Sequence, residues 1–129
     1  MRLAGEKKTM HTVLAVDDSP SIRTLVSHVL AQAGFNVVLA EDGLDALAHA
    51  REKPFDLVLT DINMPNLDGI GLIKELRELP TYKFVPLLVL TTESGTEMKM
   101  RGKAAGATGW IVKPFEPEQL VATIRKVLS

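Results

Sequence analysis

The chain is predicted to be α/β: a flavodoxin-like, doubly wound, five-stranded parallel sheet in the strand order 2-1-3-4-5, carrying five helices. Five short apolar runs, each bounded by turn or polar residues, alternate with stretches in which apolar residues recur at helical spacing. That alternation implies parallel strands covered on both faces, and right-handed crossovers leave few ways to order them.

The elements follow in chain order. Thr12 to Val16 is the first strand, ending at Asp17 and Asp18. Ser19 before Pro20 reads as an N-cap followed by an N1 proline. The first helix then shows Ile22, Leu25, Val26, Val29 and Leu30, and Gly34 stands at its C′ position. Asn36 to Ala40 is the second strand, followed by a helix whose apolar face is Leu44, Leu47 and Ala48. Leu57 to Thr60 is the third strand, with Asp61 closing it, and Leu72, Ile73, Leu76 and Leu79 mark the third helix. Pro86 to Leu90 is the fourth strand, with Thr91 at its end. The helix after it, Met98 to Ala105, is the weakest, offering only Met98, Ala104 and Ala105 for burial, so it is expected to be the least tightly docked. Gly109 to Val112 is the fifth strand and leads into Lys113. The last helix carries Leu120, Val121, Ile124, Val127 and Leu128.

Composition narrows the function classes. The 129 residues are 46% hydrophobic, which suffices for one core and leaves no room for a second domain. Residues 12–129 are expected to form that domain, and residues 1–11 a flexible N-terminal extension. A net charge of -1 provides no basic field for nucleic acid, so a protein partner is expected. The absence of cysteine suits a reducing compartment. No apolar stretch reaches the roughly 18 residues of a membrane span, and the N-terminus lacks an apolar signal-peptide core. A cytoplasmic, monomeric protein is the expectation.

In the predicted topology, strands 1 and 3 end side by side at the switch point where such sheets bind ligands. Asp17, Asp18 and Asp61 would share that crevice. Three neighbouring carboxylates repel one another, a cost relieved by a hard divalent cation such as Mg²⁺, which takes oxygen ligands and shares phosphate oxygens. Asp61 can then act as a nucleophile towards phosphorus. Thr91 can donate its hydroxyl to a phosphoryl oxygen, and Lys113 can bring a point charge to another.

The joint set is Asp17-Asp18, Asp61 with Asn63-Met64-Pro65 and Asp68-Gly69, Thr91, and Lys113-Pro114-Phe115. It closely resembles the receiver domain of two-component response regulators, over roughly Thr12 to Ser129. The resemblance implies that Asp61 is the phosphoacceptor, supplied by a histidine kinase. It implies that Asp18, Asp61 and the Asn63 carbonyl bind Mg²⁺ directly, that Asp17 acts largely through water, and that Lys113-Pro114 is cis. Catalysis would be confined to the domain's own phosphorylation and dephosphorylation. The chain ends after the fifth helix, where many receivers continue into an output domain. It would therefore signal by binding a protein through helix 4, strand 5 and helix 5, or pass the phosphoryl group on as a phosphorelay intermediate or phosphate sink. Asn63 and Glu93 form the polar pair seen in chemotaxis-type receivers. Trp110 departs from the Tyr or Phe usual at the switch position, which puts the usual inward rotation of that ring in question.

Competing motifs are weaker. Gly69-Ile70-Gly71 has Lys74 where a dinucleotide fingerprint needs its third glycine, and is better read as a helix start. Gly95 to Gly102-Lys103 misses P-loop spacing. His11, His28 and His49 lack paired metal spacing. An aspartate-nucleophile phosphohydrolase would place a second acid where Asn63 stands. An FMN site would meet repulsion from Asp17-Asp18.

Overall fold

The structure, a computed structural model, describes residues 10–129. Residues 1–9 of the expected N-terminal extension lie outside the described residues. Among those described, His11 already joins the fold: its carbonyl accepts from the Asn36 amide at 2.9 Å.

Five strands, β1 (Thr12–Val16), β2 (Asn36–Ala40), β3 (Leu57–Thr60), β4 (Leu87–Thr91) and β5 (Gly109–Val112), pair in parallel in the order β2-β1-β3-β4-β5. The helices are α1 (Pro20–Gln32), α2 (Gly43–Glu52), α3 (Gly69–Glu78), α4 (Thr96–Ala105) and α5 (Pro117–Leu128). A 3₁₀ turn, Pro80–Tyr82, precedes β4. The expected flavodoxin-like architecture is the observed one.

Alternation along each strand splits the core into two layers. Val13, Ala15, Leu57, Leu59, Leu88 and Leu90 face α1 and α5, meeting Val26, Leu30, Leu120 and Ile124. Leu14, Val16, Val58, Leu87 and Val89 face the other way, onto Ala46, Leu47 and Ala50 of α2 and Ile70, Ile73 and Leu76 of α3. Because both faces are covered, every strand end is forced to the rim, where polar side chains can emerge.

Three helices begin with a side-chain cap, the first at the expected Ser19. Ser19 Oγ accepts from the Ile22 amide at 3.3 Å, Asp42 from Asp45 at 2.8 Å and Asp68 from Gly71 at 2.7 Å. Gly34 takes φ 94° just past α1, a conformation that suits glycine.

Three expectations need correction. The fourth strand begins at Leu87 instead of Pro86 and includes Thr91; Pro86 has no N–H to donate, although its carbonyl accepts from Val58 at 3.1 Å. In α2 the buried face is Gly43, Ala46, Leu47 and Ala50, while Leu44 is 55% exposed and Ala48 is also exposed. Small residues let this helix approach closely: a Cβ on Gly43 would strike the Leu67 carbonyl oxygen. In α4, Ala104 is exposed and Gly102 is buried, because the Trp110 ring fills the space a side chain there would need, with Cζ3 2.6 Å from an ideal Cβ. Met98 and Ala105 do pack against the core.

Candidate phosphoacceptor and metal site

Asp17 and Asp18 directly follow β1, Asp61 directly follows β3, Thr91 is the last residue of β4 and Lys113 directly follows β5. The strand order therefore gathers all five at one rim. One carboxylate oxygen from each of Asp17, Asp18 and Asp61 lies within 4.8 Å of the others, with Asp18 exposed and the other two buried. Two oxygens bound to one Mg²⁺ lie at most about 4.2 Å apart, twice the usual bond length. The all-oxygen donor set fits a hard cation.

Lys113 is the built-in counter-charge. Its Nζ lies 2.6 Å from Asp17 Oδ2 and 2.9 Å from Asp61 Oδ2. Since β4 separates β5 from β3, the side chain has to reach across the sheet edge to make both contacts. Burial disfavours the ammonium, but hydrogen bonds to Asp17 and then Asp61 outweigh that and leave its pKa raised. The Asp17 carboxyl is raised as well, chiefly by burial, with Lys113 and the Ser19 amide opposing. Both shifts are upward, which favours the charged form of Lys113 and disfavours that of Asp17. The lysine is shared between two carboxylates and is well compensated, whereas each carboxylate has only part of one cation. The site is short of positive charge.

The acceptor candidate is rigidly aimed. Asp61 Oδ1 accepts from the Ile62 amide at 2.6 Å and Oδ2 from Lys113, so both oxygens are located. Gly69 closes in from behind: a Cβ there would strike the Asp61 carbonyl oxygen, so no side chain fits. Asp17 is fixed from its own backbone too, its carbonyl accepting from Arg23 Nη1 at 2.8 Å.

Thr91 is fully buried and its Oγ1 accepts from the Glu93 amide at 3.3 Å, leaving the hydroxyl proton to serve another oxygen. Asn63 Nδ2 donates to Glu93 Oε1 at 3.0 Å, joining the loop after Asp61 to the loop after Thr91. Trp110 Nε1 donates to the Glu93 carbonyl at 2.8 Å. The Lys113–Pro114 peptide is cis.

The sequence reading missed a second layer. Asp42, the N-cap of α2, accepts from Asn66 Nδ2 at 2.6 Å and so ties α2 to the loop after Asp61. Its partner lies 24 residues away and leaves no local trace in the sequence.

Residues 13–125 match the model of the response regulator receiver domain. The chain belongs to that family. Receivers take phosphoryl groups from histidine kinases and act on downstream targets. Chemotaxis response regulator CheY4 of Vibrio cholerae is 53% identical with a TM-score of 0.88, over 92% of this chain and 99% of that one. Transcriptional regulatory protein ZraR of Salmonella typhimurium is 40% identical over 117 residues, 91% of this chain and 26% of ZraR, so the receiver spans about a quarter of that relative. The receiver domain of sensor histidine kinase PA1611 from Pseudomonas aeruginosa, with a magnesium ion coordinated in its active-site cleft, is 27% identical with a TM-score of 0.86, over 92% of this chain and 97% of that one. Among the described residues of this receiver, no helix is long and apolar enough to cross a membrane.

Proposed function

We propose that this receiver is a phospho-accepting switch of the chemotaxis type, taking a phosphoryl group from a histidine kinase onto Asp61 and presenting it to a protein partner. The observation that carries the proposal is the convergence on one rim of three carboxylates, a buried threonine and a lysine shared by Asp17 and Asp61. The likeness to CheY4 over nearly the whole of both chains supports the chemotaxis setting.

In the transfer, a carboxylate oxygen of Asp61 forms the new bond to phosphorus as the P–N bond to the kinase imidazole breaks. The imidazole leaves with the bonding pair and takes up a proton. Mg²⁺, held by Asp18, Asp61 and the Asn63 carbonyl with Asp17 acting through water, would offset the charge on the phosphoryl oxygens. Lys113 is already poised beside Asp61 and needs to shift only its hydrogen bonds to meet an incoming oxygen. Thr91 offers its hydroxyl proton to another. Asn63 and Glu93, hydrogen-bonded to each other, border the approach of water and so govern how long the phosphoform lasts. The same chemistry would let the domain act as a phosphorelay intermediate or phosphate sink, as a cytoplasmic monomer.

Asp61→Asn keeps the shape and removes the nucleophile. Incubation with acetyl phosphate and Mg²⁺ is expected to add one acid-stable, base-labile phosphoryl group to the unmodified protein, read by intact mass, and none to the variant. Full labelling of Asp61→Asn would reject Asp61 as acceptor.

A further inference from the structure

The loop between β3 and α3, residues 61–68, carries the Asn63 carbonyl. Its ends are closed by the backbone: Gly69 donates to the Ile62 carbonyl at 2.8 Å. Its tip is held differently. Asn66 sits at φ 70°, the only non-glycine residue with positive φ among those described, and its side chain donates to Asp42 Oδ2 at 2.6 Å. Left-handed backbone is tolerated by asparagine but needs surroundings that hold it. Asp42 provides them. It is 8% exposed and its other oxygen is committed to the Asp45 amide at 2.8 Å, so its position is dictated by α2. Next to it, Gly43 donates to the Leu67 carbonyl at 3.1 Å, and the glycine is required because a Cβ would strike that oxygen.

We propose that Asp42 is a positioning residue for the metal site, fixing through Asn66 the loop that carries the Asn63 carbonyl. Neither side chain need touch the ion. A carbonyl ligand has no rotamer with which to correct its aim, so its place is set by the backbone on either side of it. On one side stands Asp61, locked by the Ile62 amide and Lys113; on the other, three residues on, stands Asn66. Octahedral Mg²⁺ demands close geometry, and supports behind metal ligands commonly matter about tenfold or more in affinity. The α2 N-terminus therefore forms part of the metal site's frame. This role rests on the metal reading proposed above.

The test is a double-mutant cycle on Mg²⁺ affinity, measured by calorimetry and by amide signals of residues 61–68, with urea midpoints recorded in parallel. Asp42→Ser retains a helix N-cap but is too short to reach Asn66. Asn66→Gly retains the left-handed backbone but removes the donor. Each is expected to weaken Mg²⁺ binding roughly tenfold, and the double variant no further than either single one. Variants that bind as tightly as the unmodified protein, even if less stable, would overturn the positioning role. Additive losses approaching a hundredfold would also overturn it, since the residues would then act separately. Failure of the unmodified protein to bind Mg²⁺ would bring down the metal reading itself, and the positioning role with it.

Discussion

Lys113 is a single cation serving a cluster of three carboxylates. Buried ion pairs repay their desolvation only when geometry and charge balance are good, and this cluster remains net negative after Lys113 is counted. A divalent cation is the natural complement for three carboxylates gathered at the ends of buried strands. Asp42 behaves differently, with its carboxylate held by neutral amide donors. The Asp45 amide first, and then the Asn66 side chain, hold its carboxyl below the ordinary value of 3.8. A carboxyl with a depressed folded pKa contributes stability that is fully present above the unfolded value and is lost as pH falls through the folded one. Asp42→Ala is therefore expected to cost about 1 kcal/mol at pH 7, the usual loss for a removed N-cap. The difference from the unmodified protein should shrink once the pH falls below the ordinary carboxyl range. Urea melts across that range would contradict this if the difference were constant or grew in acid.

At the scale of elements, the two ends of α4 are held differently, Met98 packing on the core near its start and hydrogen bonds fixing its end. Its N-cap, Gly95, supplies no side-chain cap, and beyond its chain neighbours nothing lies within 4 Å of where its Cβ would be. Its C-terminus is clamped. Gly106 at φ 116° donates to the Gly102 and Lys103 carbonyls, and its own carbonyl accepts from Arg77 Nε at 3.1 Å and Nη2 at 2.7 Å. The same guanidinium reaches the Tyr82 and Val85 carbonyls at 2.6 and 2.8 Å, so α3, the 3₁₀ turn and the end of α4 share one planar donor. A lysine cannot span that fork. Arg77→Lys is expected to destabilise by about 2 kcal/mol, as for lost charge-assisted bonds, and to speed amide exchange around Gly106 more than in β3. A uniform increase in exchange would argue against a local clamp.

The sequence is legible here where burial uses large side chains. Leu72, Ile73 and Leu76 announce α3, and the apolar strands announce both their number and their parallel order. It is less legible where burial uses small ones. Gly43, Ala46, Ala50 and Gly102 mark close approach and carry little hydrophobic signal, so the buried faces of α2 and α4 leave little trace in the sequence. The candidate site was legible because its residues follow strand ends directly. Arg77 and the Asp42–Asn66 bond were not, because both depend on partners brought near only by the finished fold.

At the scale of the molecule, the proposed switch requires the rim that holds Asp61 to inform another face. The expected docking surface of α4, β5 and α5 bears the exposed Lys99, Arg101 and Lys126 and the half-buried Trp110. Between the site and that surface stands the backbone of Glu93, whose N–H reaches Thr91 Oγ1 and whose carbonyl receives the Trp110 indole. Trp110 in turn packs on Gly102 of α4. If Thr91 turns its hydroxyl to a phosphoryl oxygen, the Glu93 amide loses its present acceptor geometry, and the indole bound to the same residue must follow. The helix resting on that ring then adjusts at its uncapped end, its other end being held by Arg77. A phenylalanine has no N–H to donate here, so in the proposed switch the indole of Trp110 stays tied to the Glu93 carbonyl. Trp110 is the chain's only tryptophan, so its emission reports the step directly. Beryllofluoride with Mg²⁺, a mimic of the phosphoryl group, is expected to change that emission in the unmodified protein. It should shift amide signals along α4 and leave both nearly unchanged in Thr91→Ala. Saturation that altered signals around Asp61 but neither the emission nor α4 would show that the tether holds Trp110 still, and the face would then have to be read without it.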